Sequence, residues 1–237
     1  MTDTPPTELD PVIVTGQRRQ ANGSFPPASG SGGYSEPPEG PVPIEVEEGE
    51  EPTLPRNPCA DPQTALPWNA DAAGAGSVEK FLQKAAFLGG PDAPNGSPVL
   101  THREFARALE RNADGSVSGN DVSHGDPLNP GDTSYTMEVD YTGVSPNTYV
   151  GFAHTHPNGD AIPSQHDWDE FMRVNGLARA AGRTSETFYL YVTAVGQNGA
   201  PHRTFVYQDG ARGAGSAPPP KPNSLGAEVN PDAQPCP

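Results

Sequence analysis

An apolar run from Tyr149 to His154 carries into a second histidine, His156, and the chain then turns before Ser164-Gln165-His166-Asp167. A strand that is apolar at successive positions is expected at the centre of a sheet, covered on both faces. Side chains alternate along a strand, so His154 and His156 share one face. Asp167, eleven residues after His156, can return to that face if the chain turns and opens a helix at Ser164. Two imidazole nitrogens and one carboxylate oxygen leave the fourth position of tetrahedral zinc open. A water in that position ionises with a pKa of about 7. His154, His156 and Asp167 are therefore the expected ligands of a catalytic zinc.

Each half of the pattern has an ordinary explanation when taken alone. Ser-x-x-Asp before an apolar helix is a capping box, and His-x-His on a strand can be two unrelated histidines. The conjunction at this spacing favours a metal. Cap and ligand are also compatible, because a residue in the first turn of a helix can serve as both.

His154-x-His156-x7-Ser164-x-x-Asp167, with Pro157 after the second histidine, resembles the metal motif of the JAB/MPN (JAMM) metalloproteases. That family includes zinc-dependent deubiquitinating isopeptidases and bacterial relatives found as effector or toxin modules. The resemblance is strong over about 100–170, plausible over about 60–210 and absent outside that. It implies an α/β fold, a mixed sheet packed with helices. It implies that Ser164 hydrogen-bonds the developing oxyanion, and that a Glu on an early strand moves protons for the zinc water. Glu104, Glu110 and Glu138 lie upstream within the domain. Glu104 fits the family layout best, at the start of a strand that runs towards the turn Asn112-Ala113-Asp114-Gly115. Glu110 falls at that strand's far end, and Glu138 alternates with Asp140 on a solvated face. Arg107 departs from the small residues relatives often carry after this Glu, which leaves the register open. His166 and Asp169 are left out of the metal shell, and His102, His124 and His202 read as surface residues.

The rest of the chain bounds the domain. The 237 residues include 30 Pro and 27 Gly with only 33% apolar residues, too few for compact structure throughout. Residues 1–58 hold 12 Pro and an acidic run and read as a disordered arm; 213–237, with seven Pro, read as a disordered tail. The domain is expected at 59–212. The net charge of −16 offers no basic patch for nucleic acid and favours a basic partner instead. No run is long enough to span a membrane. The start, MTDTPPTELDP, has no signal-peptide pattern, so the protein is expected in the cytoplasm or exported without a classical signal. Cys59 and Cys236 flank the domain and could join its two ends in an oxidising compartment; without that signal, two free thiols are the ordinary expectation and the pairing stays open. Val12-Ile13-Val14 is a β-prone island that could add a strand to a partner's sheet edge. It resembles the Val-Thr-Gly-x-Arg stretch near the start of outer-membrane receptors.

Within the domain, 71–89 has helical apolar spacing, and 91–98 is a loop. Residues 100–110, 135–141 and 149–154 read as strands. A helix opens at Ser164 with Trp168, Phe171, Val174, Ala178 and Ala181 as its apolar stripe, and Gly182 ends it. Residues 187–195 and 202–207 form a hairpin about Asn198-Gly199. The expected activity is a zinc-dependent peptidase or isopeptidase of JAMM type, acting on a protein or peptide, ubiquitin-like or basic-surfaced. The alternatives are a non-catalytic MPN-like scaffold, and a zinc amidase acting on a small peptide such as a peptidoglycan fragment.

Overall fold

The apolar run expected as a central strand is one. Tyr149–His156 is buried at all eight positions and carries a neighbour on each side. The computed structural model describes residues 12–17, 58–88, 100, 101, 103–127, 134–197 and 199–236. In chain order the elements are β1 (Val12–Gln17), a 3-10 turn at Pro58–Ala60, α1 (Pro62–Leu88), β2 (Phe105–Arg111), β3 (Val117–Gly119), β4 (Ser123–His124), β5 (Ser134–Val139), β6 (Tyr149–His156), α2 (Gln165–Ala180), β7 (Phe188–Ala194), β8 (Arg203–Asp209) and β9 (Ala227–Glu228). The main sheet has the order β3-β2-β6-β7-β8-β9, with β4 also on β2. It is antiparallel except between β6 and β7, which α2 joins as a crossover helix.

The helices cover opposite faces of this mixed sheet. Trp168, Phe171, Val174 and Ala178 of α2 pack with Phe152, Leu190 and Val192. On the other face Ala70 and Phe81 of α1 pack with Phe105, Val150, Ala153 and Tyr191. α1 begins nine residues before the expected 71, at Pro62. A proline at the first helical position loses no hydrogen bond, and the Asp61 carbonyl accepts from the Thr64 and Ala65 N–H groups. Pro67 removes one later bond without breaking the helix. Tyr191 Oη donates to Asp71 Oδ1 at 2.8 Å and fixes α1 to the sheet. At the far end of α2, Arg179 is buried against Asp209, 3.0 Å from Nη2 to Oδ2, and stacks over Phe188.

Three expectations change. The cysteines are not free: Cys59 and Cys236 form a disulfide across 177 residues of chain. Residues 213–236 are not a loose tail. They cross back over the domain, add β9 to the edge of β8 and bury Val229 in the α1-side core. Composition hid this because most of the segment is exposed, and a few contacts hold it. The Val12–Val14 island pairs with β5 of its own chain, Val12 opposite Val139 and Gln17 opposite Ser134. The remainder of the acidic arm, the loop at 91–98 and His102 lie outside the described residues. Among the described residues no helix is long and apolar enough to cross a membrane.

Candidate metal centre

β6 delivers both histidines to the face that α2 covers. The rings of Phe152 and His154 pack at a tilt with centroids 5.5 Å apart, and Phe152 meets Phe171 of α2 edge-on. Past His156 the chain turns sharply at Pro157–Asp160. Gly159 has φ +78°, and a Cβ there would also press on the Val195 carbonyl at 3.3 Å, so glycine fits where other residues strain. The Gly159 N–H donates to the His156 carbonyl at 3.0 Å. Tyr207 Oη donates to the Ala161 carbonyl at 2.8 Å and ties the following loop to β8. Ser164, extended at φ −66° and ψ 169°, then caps α2 and aims its first turn back at β6.

The three expected ligands converge. His154 Nε2 lies 2.9 Å from His156 Nε2. Asp167 Oδ2 lies 3.2 Å from His156 Nε2 and 3.4 Å from His154 Nε2. Zinc–nitrogen bonds of about 2.05 Å give a tetrahedral edge of about 3.3 Å, and the three separations bracket that value. The tautomers suit a cation too. His156 Nδ1 faces the Asp160 carbonyl at 2.8 Å and so carries the proton, leaving the Nε2 lone pair pointed inward. Asp167 Oδ1, His154 Nδ1 and Glu104 Oε2 are buried without a hydrogen-bond partner among the described residues. Among the described residues His154, His156 and Asp167 are the cluster of His, Cys, Asp or Glu that could hold a metal ion. The residues present fit a divalent cation.

Glu104 precedes β2 and is 2% exposed. β2 runs antiparallel to β6 with Ala106 opposite His154. Counting that register on by two places sets Glu104 opposite His156, on the same face. Its backbone is held on both sides: the Phe105 N–H donates to Thr155 Oγ1 at 3.0 Å, and the Glu104 carbonyl accepts from the Gly125 N–H at 3.0 Å. Thr155 belongs to no motif in the sequence and points away from the histidine face, yet it anchors the segment carrying Glu104. Glu110 accepts from Thr148 Oγ1 at 3.2 Å at the far end of β2, and Glu138 is exposed on β5.

The charges are strongly coupled. Burial pushes the Glu104 carboxyl up to about 8; His156 offsets this in part and Asp167 reinforces it. Burial would lower His156, but Asp167, Glu104 and the Asp160 carbonyl outweigh it and raise the imidazole to about 9. Burial holds His154 below its usual range despite Asp167. Burial opposes ionisation of Asp167, yet the two imidazoles hold its carboxyl well below the usual carboxylate range.

Asp167 is both cap and cluster member. Its Oδ2 accepts from the Ser164 N–H at 2.6 Å while Ser164 Oγ accepts from the Asp167 N–H at 3.1 Å. Ser164 Oγ therefore keeps its own proton to donate elsewhere. Ser164 is half-buried, while His154, His156 and Asp167 are all buried. His166 and Asp169 are exposed and outside the cluster. His202 is not a bare surface residue: its Nδ1 accepts from the Gly196 N–H at 3.0 Å and braces the β7–β8 connection. His124 is likewise half-buried, its Nδ1 3.3 Å from Arg103 Nη1. Comparison with protein-family models, curated proteins and solved structures found no match to this chain.

Proposed function

We propose that the protein is a zinc-dependent hydrolase of amide bonds, a peptidase or isopeptidase of the JAB/MPN kind. The observation that carries this reading is the meeting of His154 Nε2, His156 Nε2 and Asp167 Oδ2 at one point, with the buried carboxyl of Glu104 on the same face. His154, His156 and Asp167 would hold the ion. Zinc, when bound there, supplies a Lewis acid and makes water nucleophilic near neutral pH. Glu104 takes a proton from the attacking water and returns it to the leaving amine. Burial suits it to this work, because a carboxyl with raised proton affinity acts as base and then as acid near neutrality. The free hydroxyl proton of Ser164 is available to the oxyanion that forms on the substrate.

Purified protein should contain one zinc per chain by elemental analysis. It should cleave at least one member of a panel of ubiquitin-like conjugates, isopeptide-linked peptides and peptidoglycan-derived amides. A chelator should abolish the cleavage and added zinc restore it. Zinc bound with no cleavage anywhere in the panel would favour the scaffold, and absence of zinc would remove the reading altogether.

A further inference from the structure

The disulfide and the strap it ends are not used by the chemistry above, yet they reach the metal cluster. From Arg212 the chain crosses the end of α2, where the Pro219 carbonyl accepts from Trp168 Nε1 at 2.9 Å. Trp168 follows the ligand Asp167 directly, is 4% exposed and packs on Phe171 with ring centroids 5.5 Å apart. The strap then lies along β8. Gly226 comes so near that a Cβ there would stand 2.2 Å from the Val206 carbonyl, a closeness only glycine allows. Val229 buries and its N–H donates to the Thr204 carbonyl at 2.8 Å. The strap ends at Cys236, whose N–H donates to Asn69 Oδ1 at 2.6 Å beside the bond to Cys59. Apart from Val229 the strap is exposed or half-buried, and it is rich in proline. Its other holds on β8 are the two-residue β9 pairing and the Arg203–Glu228 ion pair, which is exposed and so weak. Set against the chain entropy of the strap they are small, and the covalent tether decides whether it stays.

We propose that the Cys59–Cys236 disulfide is a redox switch. Closed, it holds the strap against Trp168 and orders the first turn of α2, which carries Asp167; open, it lets the strap leave and that turn loosens. As a statement about zinc affinity this rests on the function proposed above; as a statement about the strap and the helix it does not. Both cysteines are partly exposed and reachable by a reagent. Closing transfers two electrons and two protons from the Cys59 and Cys236 thiols to a small-molecule or protein disulfide, which leaves as two thiols after a mixed-disulfide intermediate. A dithiol reverses the exchange and is itself oxidised to a disulfide. The protein then matures in an oxidising compartment, where such bonds persist, and has a loosened site wherever thiols are kept reduced.

The test uses the full chain carrying Trp68→Phe, which leaves Trp168 as the sole indole. The metal-free protein is compared before and after a phosphine reductant, which takes up the disulfide as two thiols and is itself oxidised with water's oxygen. Reduction should shift Trp168 emission to the red and speed amide exchange over 165–172 and 226–229, with far-ultraviolet dichroism unchanged. Cys59→Ser with Cys236→Ser should match the reduced form. Zinc affinity, read by competition with a chromophoric chelator, should fall by roughly 10–100-fold, as when a supporting partner of a ligand is lost. Emission and exchange that ignore reduction overturn the switch. So does collapse of the whole dichroism spectrum, which would make the bond a plain staple, or an unchanged zinc affinity alongside a released strap. Zinc bound by neither form would overturn the proposed function instead, and leave emission and exchange to decide the switch.

Discussion

Ser164 and Asp167 hold each other through two reciprocal hydrogen bonds, and the carboxylate oxygen that accepts one of them lies 3.2 Å from His156 Nε2. Removing the hydroxyl separates capping from chemistry. Ser164→Ala keeps the backbone N–H on Asp167 Oδ2, so zinc should stay bound. Loss of the Oγ acceptor should lower stability by about 1 kcal/mol. Turnover should fall further, by about 10²–10³-fold, if the hydroxyl also serves the oxyanion. Denaturant melts and kinetics on one preparation distinguish the two effects; unchanged turnover would leave Ser164 a cap alone.

Glu104→Gln should fold and retain zinc, because Glu104 is not among the convergent ligand atoms. Turnover should nonetheless fall by about 10²–10⁴-fold, the usual contribution of positioned proton transfer. Glu110→Gln should be nearly silent, since six residues along an extended chain put it about 20 Å away. The opposite pattern, activity lost with Glu110 and kept with Glu104, would reassign the base.

His154→Ala, His156→Ala and Asp167→Ala should each abolish stoichiometric zinc, because two protein ligands do not hold it tightly. Asp167→Asn is the more informative change: its amide can still cap α2 yet brings no charge to the cluster. Full zinc by elemental analysis in Asp167→Asn would mean that the carboxylate is a cap and not a ligand.

The metal-free protein should lose stability as pH rises between 6.5 and 8. There the folded chain still holds a proton on Glu104, at about 8 against its ordinary 4.5, and on His156, at about 9 against 6.5. The unfolded chain has released both, so folding binds protons and weakens with rising pH. The lowered His154 works in the other direction only below 6.5. Melting temperatures of chelator-stripped protein should fall across this window, and less steeply in Glu104→Gln. A melting temperature that climbs instead would mean these protons are not held.

Asp209→Ala should destabilise by about 3–5 kcal/mol, because it strands the buried guanidinium of Arg179. Replacing both partners with apolar residues should recover much of that loss. A calorimetric difference under about 1 kcal/mol for the single change would show that water or the Gly210 carbonyl already satisfies Arg179.

The convergence of His154, His156 and Asp167 was legible because the three sit close in sequence, on a buried strand and in the first turn of the helix that follows. Local periodicity and spacing fix both. Glu104 needed the β2–β6 register, which the sequence suggests through the Asn112–Gly115 turn but does not determine. Thr155 was invisible for the reverse reason: its role depends on a partner fifty residues away. The early start of α1 was hidden by Pro62 and Pro67, which discourage helix in its interior but are tolerated near its beginning. The strap was misread because proline-rich composition reports how little a segment can bury, not whether a covalent bond holds its end. For β1 the β-prone residues were legible, and the choice between a partner's sheet and β5 was not.

The Cα atoms of Cys59 and Cys236 lie 5.3 Å apart, little more than the roughly 3.8 Å between consecutive residues. The disulfide thus closes 59–236 into a ring whose two ends share one narrow gate, and β1 reaches β5 from outside that ring. A short linker could join those ends with neither stretched, provided β1 is kept for its place beside β5. The chain is, in that sense, a clasped loop with one strand worn on the outside.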